Sequence, residues 1–347
     1  MRVAAMCCTL LLALATACSS GDNAAPSRTA TAPPGTPAPT AAGARIQTGS
    51  KPWGVAVDQQ RGFLYTSNEG EDTVSVVDLD TMVAIQTIPV GSGPSSIAVN
   101  TQTGLVYVTN AFAATVSVID PAESAVVATV PVEAKPWAIA IDEASNRIYV
   151  ANADGDSISV IDGADNSIIE VLTGAEEPWG LEISADGTIL YASSAATGEV
   201  AAFDLATGKV ISRITVDDRP RGMALDPESN TLYVANVESA TVSVVDLAAG
   251  AAVASVRVEN LPLMVALDLQ TRRAYVANSF GASVSVIDLD TYALLDTFAV
   301  GANPWDITVG PDGTLYVACS GSSQIDVFTP DVLDGLLPAA SAVLQFE

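Results

Sequence analysis

Histidine is absent from this chain, and positively charged residues are scarce. Without an imidazole there can be no Ser–His–Asp triad, no His-ligated haem and no zinc site of ordinary composition. Lysine and arginine together number 14 against 40 acidic residues, which gives a formal net charge of −26. Such a chain repels phosphate backbones, so we expect no nucleic-acid partner. There is also no Gly-rich phosphate loop and no Gly-x-Ser-x-Gly nucleophile elbow, and we expect no cofactor.

Cysteine is almost confined to the first residues, which do not read as part of a fold. After Met1-Arg2, an apolar run too short to span a bilayer leads to Ala15-Thr16-Ala17-Cys18. This segment resembles a bacterial lipoprotein signal, which implies that residues 1–17 are removed and Cys18 carries the lipid; simple secretion is the alternative. Both place the mature protein outside the cytoplasm, and in the lipoprotein interpretation the lipid is its only membrane contact. Only Cys319 remains besides Cys18, so we expect no internal disulfide.

Residues 18–44 are rich in Ser, Thr, Ala and Pro and read as a disordered tether. A strict period of 42 residues follows, marked by seven prolines: Pro52, Pro94, Pro136, Pro178, Pro220, Pro262 and Pro304. A constant period of this length indicates one supersecondary unit copied along the chain. We therefore assign residues 45–330 to one repeat domain and residues 331–347 to a C-terminal tail.

Each repeat contains four short β-prone runs separated by turn residues, with no helical period. One such sheet cannot cover both of its faces, whereas seven sheets arranged radially cover one another. The sequence predicts an all-β, seven-bladed propeller with four antiparallel strands per blade. Arg45–Gly49 aligns with the outer strand of the following repeat, while the last repeat lacks that strand. We expect residues 45–48 to close the last blade, although residues 342–346 could compete for this position or add a strand beside it.

The second strand of several repeats carries a recognisable motif. Tyr107-Val108-Thr109-Asn110 has close variants at 149–152, 233–236 and 275–278. In these residues the chain resembles the YVTN-repeat propeller family over residues 45 to about 330. The resemblance implies the fold and little about activity.

Most recurring columns read as structural. We expect the repeated Tyr to pack between blades with its hydroxyl on a backbone partner, and the Asn of the motif to bond the loop backbone. A second set of polar residues, distinct from the Tyr and Asn columns, lies directly after the first strand in five repeats. We expect these side chains to cap turns. Cation binding there is the weaker alternative, and we assign no metal site. This set comprises Asp58, Asn100, Asp142, Asp226 and Asp268.

The position after each proline is the strongest candidate for a binding site. All four tryptophans of the chain lie in this one column, which precedes the innermost strand: Trp53, Trp137, Trp179 and Trp305. Arg221 shares the column, Arg219 lies two residues before it, and Phe112 and Phe280 lie on loops opening on the same face. Aromatic and arginine side chains at the centre of a patch are typical of recognition sites. The alternative is that the indoles only seal the core.

Glu182 interrupts a column of small residues on the innermost strand. A carboxylate there must reach channel water or be paired. Three functions therefore remain open. A monomeric binding module would take a protein, peptide or envelope glycan on the tryptophan face; a lactonase-, lyase- or hydrolase-like enzyme would use Glu182 as acid or base and Arg221 as anion clamp; a passive scaffold would need no site.

Overall fold

The computed structural model describes residues 43–337, which form a ring of seven four-stranded antiparallel sheets. The predicted seven-bladed all-β propeller is confirmed. Residues 1–42 and 338–347 lie outside the described residues, and with them the signal segment, the lipidation prediction at Cys18, almost all of the tether and the possible strand at 342–346.

The strands follow the chain in order from the innermost to the outermost position of each blade. The closing strand β1 is Ala44–Gln47. Blade 1 consists of β2 (Pro52–Asp58), β3 (Phe63–Asn68), β4 (Thr73–Asp78) and β5 (Val83–Pro89), and blade 2 of β6 (Pro94–Val99), β7 (Val106–Asn110), β8 (Thr115–Asp120) and β9 (Ala125–Pro131). Blade 3 consists of β10 (Pro136–Asp142), β11 (Arg147–Asn152), β12 (Ser157–Asp162) and β13 (Ser167–Thr173).

Blades 4 to 7 repeat the arrangement. They are β14 (Pro178–Ile183), β15 (Ile189–Ser194), β16 (Glu199–Asp204) and β17 (Lys209–Thr215); β18 (Pro220–Asp226), β19 (Thr231–Asn236), β20 (Thr241–Asp246) and β21 (Ala251–Arg257); β22 (Pro262–Asp268), β23 (Arg273–Asn278), β24 (Ser283–Asp288) and β25 (Leu294–Ala299); and β26 (Pro304–Val309), β27 (Leu315–Cys319) and β28 (Gln324–Phe328), to which β1 is added.

The ring closes as the sequence predicts. Strand β1 pairs antiparallel with β28 and becomes the outer strand of blade 7. Its Ile46 is 1% exposed and belongs to an apolar cluster shared by blade 7 and blade 1. Arg45 lies 3.6 Å from the buried Asp326 carboxylate. Closure removes the two open sheet edges that a linear array would have.

The core lies between neighbouring blades. One cluster, for example, joins Tyr65, Val74 and Val76 of blade 1 to Val106 and Val108 of blade 2. The Tyr column is buried as predicted, and the Tyr233 hydroxyl donates to the Leu289 carbonyl at 3.2 Å. The prediction of backbone partners for the whole column is wrong, because the buried hydroxyls of Tyr65, Tyr107 and Tyr275 have no protein partner among the described residues.

The Asn column has a different role from the predicted one. The Asn68 Nδ2 donates to the hydroxyls of Thr73 and Ser75 on the third strand, at 3.1 and 2.9 Å. Ser75 in turn accepts the Gly49 backbone N–H at 3.3 Å. The amide therefore reaches the loop before the inner strand only through a serine. The same pattern recurs at 110, 152, 236 and 278.

One short helix follows the last strand. Helix α1 (Pro330–Leu336) packs Leu333 and Leu336 against the cluster between blades 6 and 7, and Asp334 pairs with Arg273 at 3.0 Å. Two single 3-10 turns lie at Ala153–Gly155 and Ser320–Ser322. Within residues 43–337, no helix has the length and apolar character needed to cross a membrane.

Candidate functional site: the tryptophan-lined channel mouth

The Trp face is the surface formed by the loops before the inner strands and the loops between second and third strands. The two sets of loops touch, since the Ala111 N–H donates to the Gly93 carbonyl at 2.8 Å and the Ser279 N–H to the Leu261 carbonyl at 2.9 Å. Phe112 therefore lies on the same face as Trp137, as the sequence predicts.

Each tryptophan is placed by the same backbone device. The residue before the proline has positive φ, for example 56° at Lys135, so the chain turns sharply into the inner strand. A β-bulge directly after the proline puts Trp137 and Ala138 opposite one residue of the second strand. Bulges re-aim a side chain out of the regular ladder, and here they turn it toward the channel mouth.

The four indoles form one contacting cluster across the mouth. Trp53 stacks on Trp305 with ring centroids 4.6 Å apart and an interplanar angle of 14°. Trp137 lies 4.2 Å from Trp179, 5.4 Å from Trp53 and 5.9 Å from Trp305. Trp179 is 7% exposed, whereas the other three are only half-buried. The cluster thus closes the channel and still presents ring surface to solvent.

Hydroxyl groups on the second strands hold part of this column from the neighbouring blade. Thr109, the threonine of the YVTN motif, donates to the Trp137 carbonyl at 2.7 Å. Ser193 donates to the Arg221 carbonyl at 2.8 Å and accepts the Gly180 N–H at 2.7 Å. A Cβ at Gly180 would overlap the Arg221 carbonyl, so the close approach requires glycine. We did not foresee these anchors, which the sequence marks by hydroxyls at 67, 109 and 193 where other blades have alanine.

The cations near the mouth are mostly neutralised. Lys51 lies 3.1 Å from Glu69, and Lys135 lies 3.2 Å from Asp154. Arg219 contacts Glu177 at 2.6 Å, and Glu177 also accepts the Trp179 Nε1–H at 3.2 Å. These pairs join loops of the Trp face. They neutralise most of the positive charge on that face.

Arg221 is the exception. Its guanidinium carbon lies 3.9 Å from the centre of the Trp179 ring, which is cation–π geometry. It forms no ion pair with any described residue, and its buried Nε has no hydrogen-bond partner. Burial, followed by the charge of Arg219, lowers the pKa of Arg221 to about 10, so the side chain stays cationic at neutral pH.

The two phenylalanines are the most exposed large apolar side chains of this face. Phe112 is 65% exposed and Phe280 is 76% exposed. Phe112 leans over Gly93, where a Cβ would collide with its ring. Nothing in the intramolecular packing requires rings so exposed.

Asp306 was missed in the sequence. It lines a cavity of about 50 Å³ beneath the indoles, together with Trp53, Ser95 and Met264. Its carboxylate accepts the Val55 N–H of blade 1 at 2.9 Å and its neighbour Ile307 N–H at 2.8 Å. Burial raises the pKa of Asp306 to about 6 despite these bonds. The sequence marked Asp306 as a departure from the repeat, because it is the one acidic residue in its column. The other six repeats have at this position Gly54, Ser96, Ala138, Gly180, Gly222 and Met264.

Glu182 lies half-buried on β14, where it accepts no hydrogen bond and forms no ion pair with any described residue. Desolvation alone raises the pKa of Glu182 to about 8, so its carboxyl is largely protonated at neutral pH. Arg221 lies on the adjacent blade, but the two side chains do not pair.

The opposite mouth of the channel carries the turns after the inner strands. There the second set of polar residues caps turns as predicted; Asp58, for example, accepts the Arg61 N–H at 3.1 Å, and Asp226 accepts the Ser229 hydroxyl at 2.7 Å. A depression of about 650 Å³ lies between turns 141–145 and 183–187. Within residues 43–337, no three His, Cys, Asp or Glu side chains are grouped to hold a metal ion.

Cys319 replaces the asparagine of the motif in blade 7. Its thiol is fully buried and contacts the Val317 carbonyl at 3.6 Å. Burial, reinforced by the Asp326 charge, raises the pKa of Cys319. Such a thiol is structural and unreactive.

Comparisons with known proteins agree on the architecture. Residues 151–279 match the model of the SMP-30/Gluconolactonase/LRE-like region, and residues 302–328 match that of the NHL repeat. No curated protein matches the chain. Among solved structures, Kuenenia stuttgartiensis hydrazine synthase is similar with a TM-score of 0.74 and 21% identity, over 84% of this chain and 99% of that one. At this identity the similarity shows the propeller fold alone.

Proposed function

We propose that this protein is an extracytoplasmic β-propeller, anchored by a lipid on Cys18, that binds a protein, a peptide or a cell-envelope glycan through its Trp face. The proposal keeps the YVTN-repeat resemblance as the source of the scaffold. The observation that carries it is the convergence of all four indoles on one channel mouth beside two exposed phenylalanines. Aromatic rings of this kind pack on protein surfaces and stack on sugars.

The exposure of Phe112 and Phe280 favours binding over a purely structural role for the face. A sealing function would bury these rings, but more than half of each side chain is in contact with solvent. The outer strands also expose apolar side chains such as Ile85 and Ile211, at 57% each. Those residues provide matched controls, because they lose similar apolar surface far from the mouth.

The test measures ligand capture with the mature full-length protein. Indole fluorescence is titrated with purified peptidoglycan fragments, and surface-exposed envelope proteins are cross-linked to the immobilised propeller and quantified. A double variant, Phe112→Ser with Phe280→Ser, is expected to lower capture at least tenfold without moving the unfolding midpoint. The control, Ile85→Ser with Ile211→Ser, is expected to leave capture unchanged. Equal capture by all three proteins would reject the Trp face as the binding surface.

The lipid anchor is tested separately. Labelling with a radioactive fatty acid is expected to mark the wild type and not Cys18→Ser, which should be released into the medium. Retention of the Cys18→Ser protein on the membrane without label would contradict the anchor and leave the binding proposal in place.

A lactonase-, lyase- or hydrolase-like activity is the second candidate. Its support is the family match over residues 151–279, which spans Glu182 and Arg221, together with a Glu182 pKa of about 8, suited to acid–base work near neutral pH. Turnover of lactones and glycosides is expected to fall at least a hundredfold in Glu182→Gln and to persist in Glu170→Gln, an exposed outer-strand control. Equal rates in the two variants would end this candidate.

A further inference from the structure

Resting on the binding function proposed above, we propose that the ligand presents one carboxylate to Arg221 and lays a flat apolar group on the indoles of the Trp face. The site takes a monoanion with an aromatic or similarly planar body. Its source is either a free carboxylic acid or the carboxyl terminus of a peptide, and the chemistry is the same for both.

The first support is the isolation of the Arg221 charge. Three arginines among residues 43–337 form no ion pair, namely Arg147, Arg221 and Arg257, and the other two are exposed on the surface. Arg221 alone is both partly buried and unpaired, in a chain with a net charge of −26. In a protein so rich in carboxylates, a partly buried arginine with no carboxylate at ion-pair distance indicates a place for an external anion.

The second support is the way Arg221 is held. Its main chain is fixed by Ser193 and by the close approach of Gly180. Its guanidinium carbon lies over the Trp179 ring, 3.9 Å from the ring centre, and this contact restrains the planar fork. The Nε is buried, whereas the two terminal nitrogens have no partner among the described residues and retain contact with solvent. A preorganised planar fork suits an anion with two oxygens in one plane.

The third support concerns the charge of the ligand. Glu177 and Glu238 lie close enough to act on Arg221, and Glu177 is already engaged by Arg219. A dianion such as a phosphate monoester would meet these two carboxylates and the field of the whole molecule. A carboxylate carries one charge and is less strongly repelled, so the surroundings select it over phosphate.

The fourth support is the apolar wall beside Arg221. A cavity of about 30 Å³ is lined by Trp137, Leu263, Met264 and Trp305. It is too small for a ring and large enough for a methyl group or one water. The planar part of the ligand therefore lies over the mouth against the exposed indole surface, where it displaces water from apolar area.

The experiment uses phenylacetate as the probe, with phenylacetamide as its uncharged counterpart and phenyl phosphate as the dianion. Calorimetry and indole fluorescence give the affinities for the mature full-length protein. We expect phenylacetate to bind at least tenfold more tightly than either counterpart. Arg221→Gln is expected to abolish that preference, Arg221→Lys to reduce it, and Arg257→Gln, a matched loss of one exposed arginine, to leave it unchanged.

Two measurements keep the outcome decisive. Unfolding curves of each variant show whether Arg221→Gln is folded. If Arg221→Gln does not fold, Arg221→Lys, which keeps the positive charge but lacks the planar fork, is used in its place. Equal affinity for phenylacetate and phenylacetamide in the wild type, or a preference that survives in folded Arg221→Gln, overturns the inference. If envelope capture still depends on Phe112 and Phe280 in that case, the binding function stands and only the carboxylate assignment fails. If the preference for the carboxylate and the dependence of capture on Phe112 and Phe280 are both absent, the inference and the binding function are both overturned.

The source of the carboxylate is read from a second pair of probes. The peptide Gly-Gly-Phe is compared with its amidated form. Tighter binding of the free-acid peptide than of phenylacetate assigns the site to a peptide terminus, and weaker binding assigns it to a small acid. A free acid and an amide of equal affinity would count against the inference.

Discussion

The two mouths of the channel are built from the same repeat and differ in how their polar groups are used. At the opposite mouth, carboxylates and arginines bond to one another; Arg272, for example, lies 2.7 Å from the fully buried Asp226 carboxylate. At the Trp face, Arg221 is unpaired, and two phenylalanines are exposed. At the opposite mouth these charged groups pair with one another, whereas at the Trp face Arg221 pairs with no described residue.

The difference extends to proton binding. Burial opposes ionisation of Asp226, but hydrogen bonds from Ser229 and Arg272 outweigh it and leave its pKa lowered. Burial dominates for Asp306 beneath the indoles and for Glu182 in the channel, and their pKa values rise to about 6 and about 8. Regular residues of a repeat therefore serve the fold, and departures from the repeat are where function should be sought.

The largest expected effect is at Trp179. Because Trp179 is 7% exposed and packs against Trp137 and Ala153, Trp179→Ala should lower the free energy of unfolding by about 3–4 kcal/mol. Trp53→Ala, at a half-buried ring of the same cluster, should cost only about 1–2 kcal/mol. Urea unfolding measures both. Equal losses of unfolding free energy in the two variants would mean that the four indoles stabilise the fold as one unit.

The next largest effect is expected at Glu182, whose carboxyl group should make the stability of the protein depend on pH. Between about pH 4.5 and pH 8 the unfolded chain has released the Glu182 proton while the folded protein keeps it, so stability falls as pH rises. Glu182→Gln should therefore be more stable than the wild type at pH 9, by on the order of 2 kcal/mol, because the side chain is only half-buried and solvent screening reduces the effect. The gain should shrink toward pH 4.5. A gain independent of pH would contradict the burial of this carboxyl.

The opposite mouth should show the reverse dependence. With its lowered pKa, ionised Asp226 stabilises the fold at neutral pH, and this contribution is lost as the pH falls through the folded-state pKa. Asp226→Asn should cost about 1–2 kcal/mol at pH 7 and less at pH 3. Asp290→Asn, which removes the exposed partner of the same Arg272, serves as the control and should cost under about 0.5 kcal/mol. A loss that grew on acidification would disprove the assignment.

The smallest effect on stability is expected at Phe280. Because its ring is 76% exposed, Phe280→Ser should change the free energy of unfolding by less than about 0.5 kcal/mol while lowering capture. Thermal unfolding and capture are measured on the same preparation. A large loss of stability would give the ring a structural role and remove the sharpest contrast between the two mouths.

The sequence was sufficient for the architecture because a repeat constrains every blade at once. The proline period defines the blades, and the alignment of residues 45–48 with an outer strand predicts the closure observed between β1 and β28. The common mouth of the tryptophans also follows, since each one precedes an inner strand. Their mutual contacts do not follow, because these depend on the width of the ring and on side-chain rotamers.

Side-chain contacts between neighbouring blades also could not be predicted from the sequence. The pairing of Arg219 with Glu177 joins positions 42 residues apart and can be seen only when the loops are side by side. The same holds for the Thr109 bond to Trp137. Asp306 was predictable from the sequence, since it is the one acidic residue in its column.

Closure by β1 has a mechanical consequence. Strand β1, which joins blade 7 to blade 1, is also the first strand of the described chain. If the chain is held at Cys18 as proposed, any pull between membrane and bound ligand is transmitted first to a four-residue strand. Removal of that strand would expose the apolar cluster shared by blade 7 and blade 1, whose inner strands carry Trp305 and Trp53, so tension on the anchor would act on the two blades that meet at the proposed ligand surface.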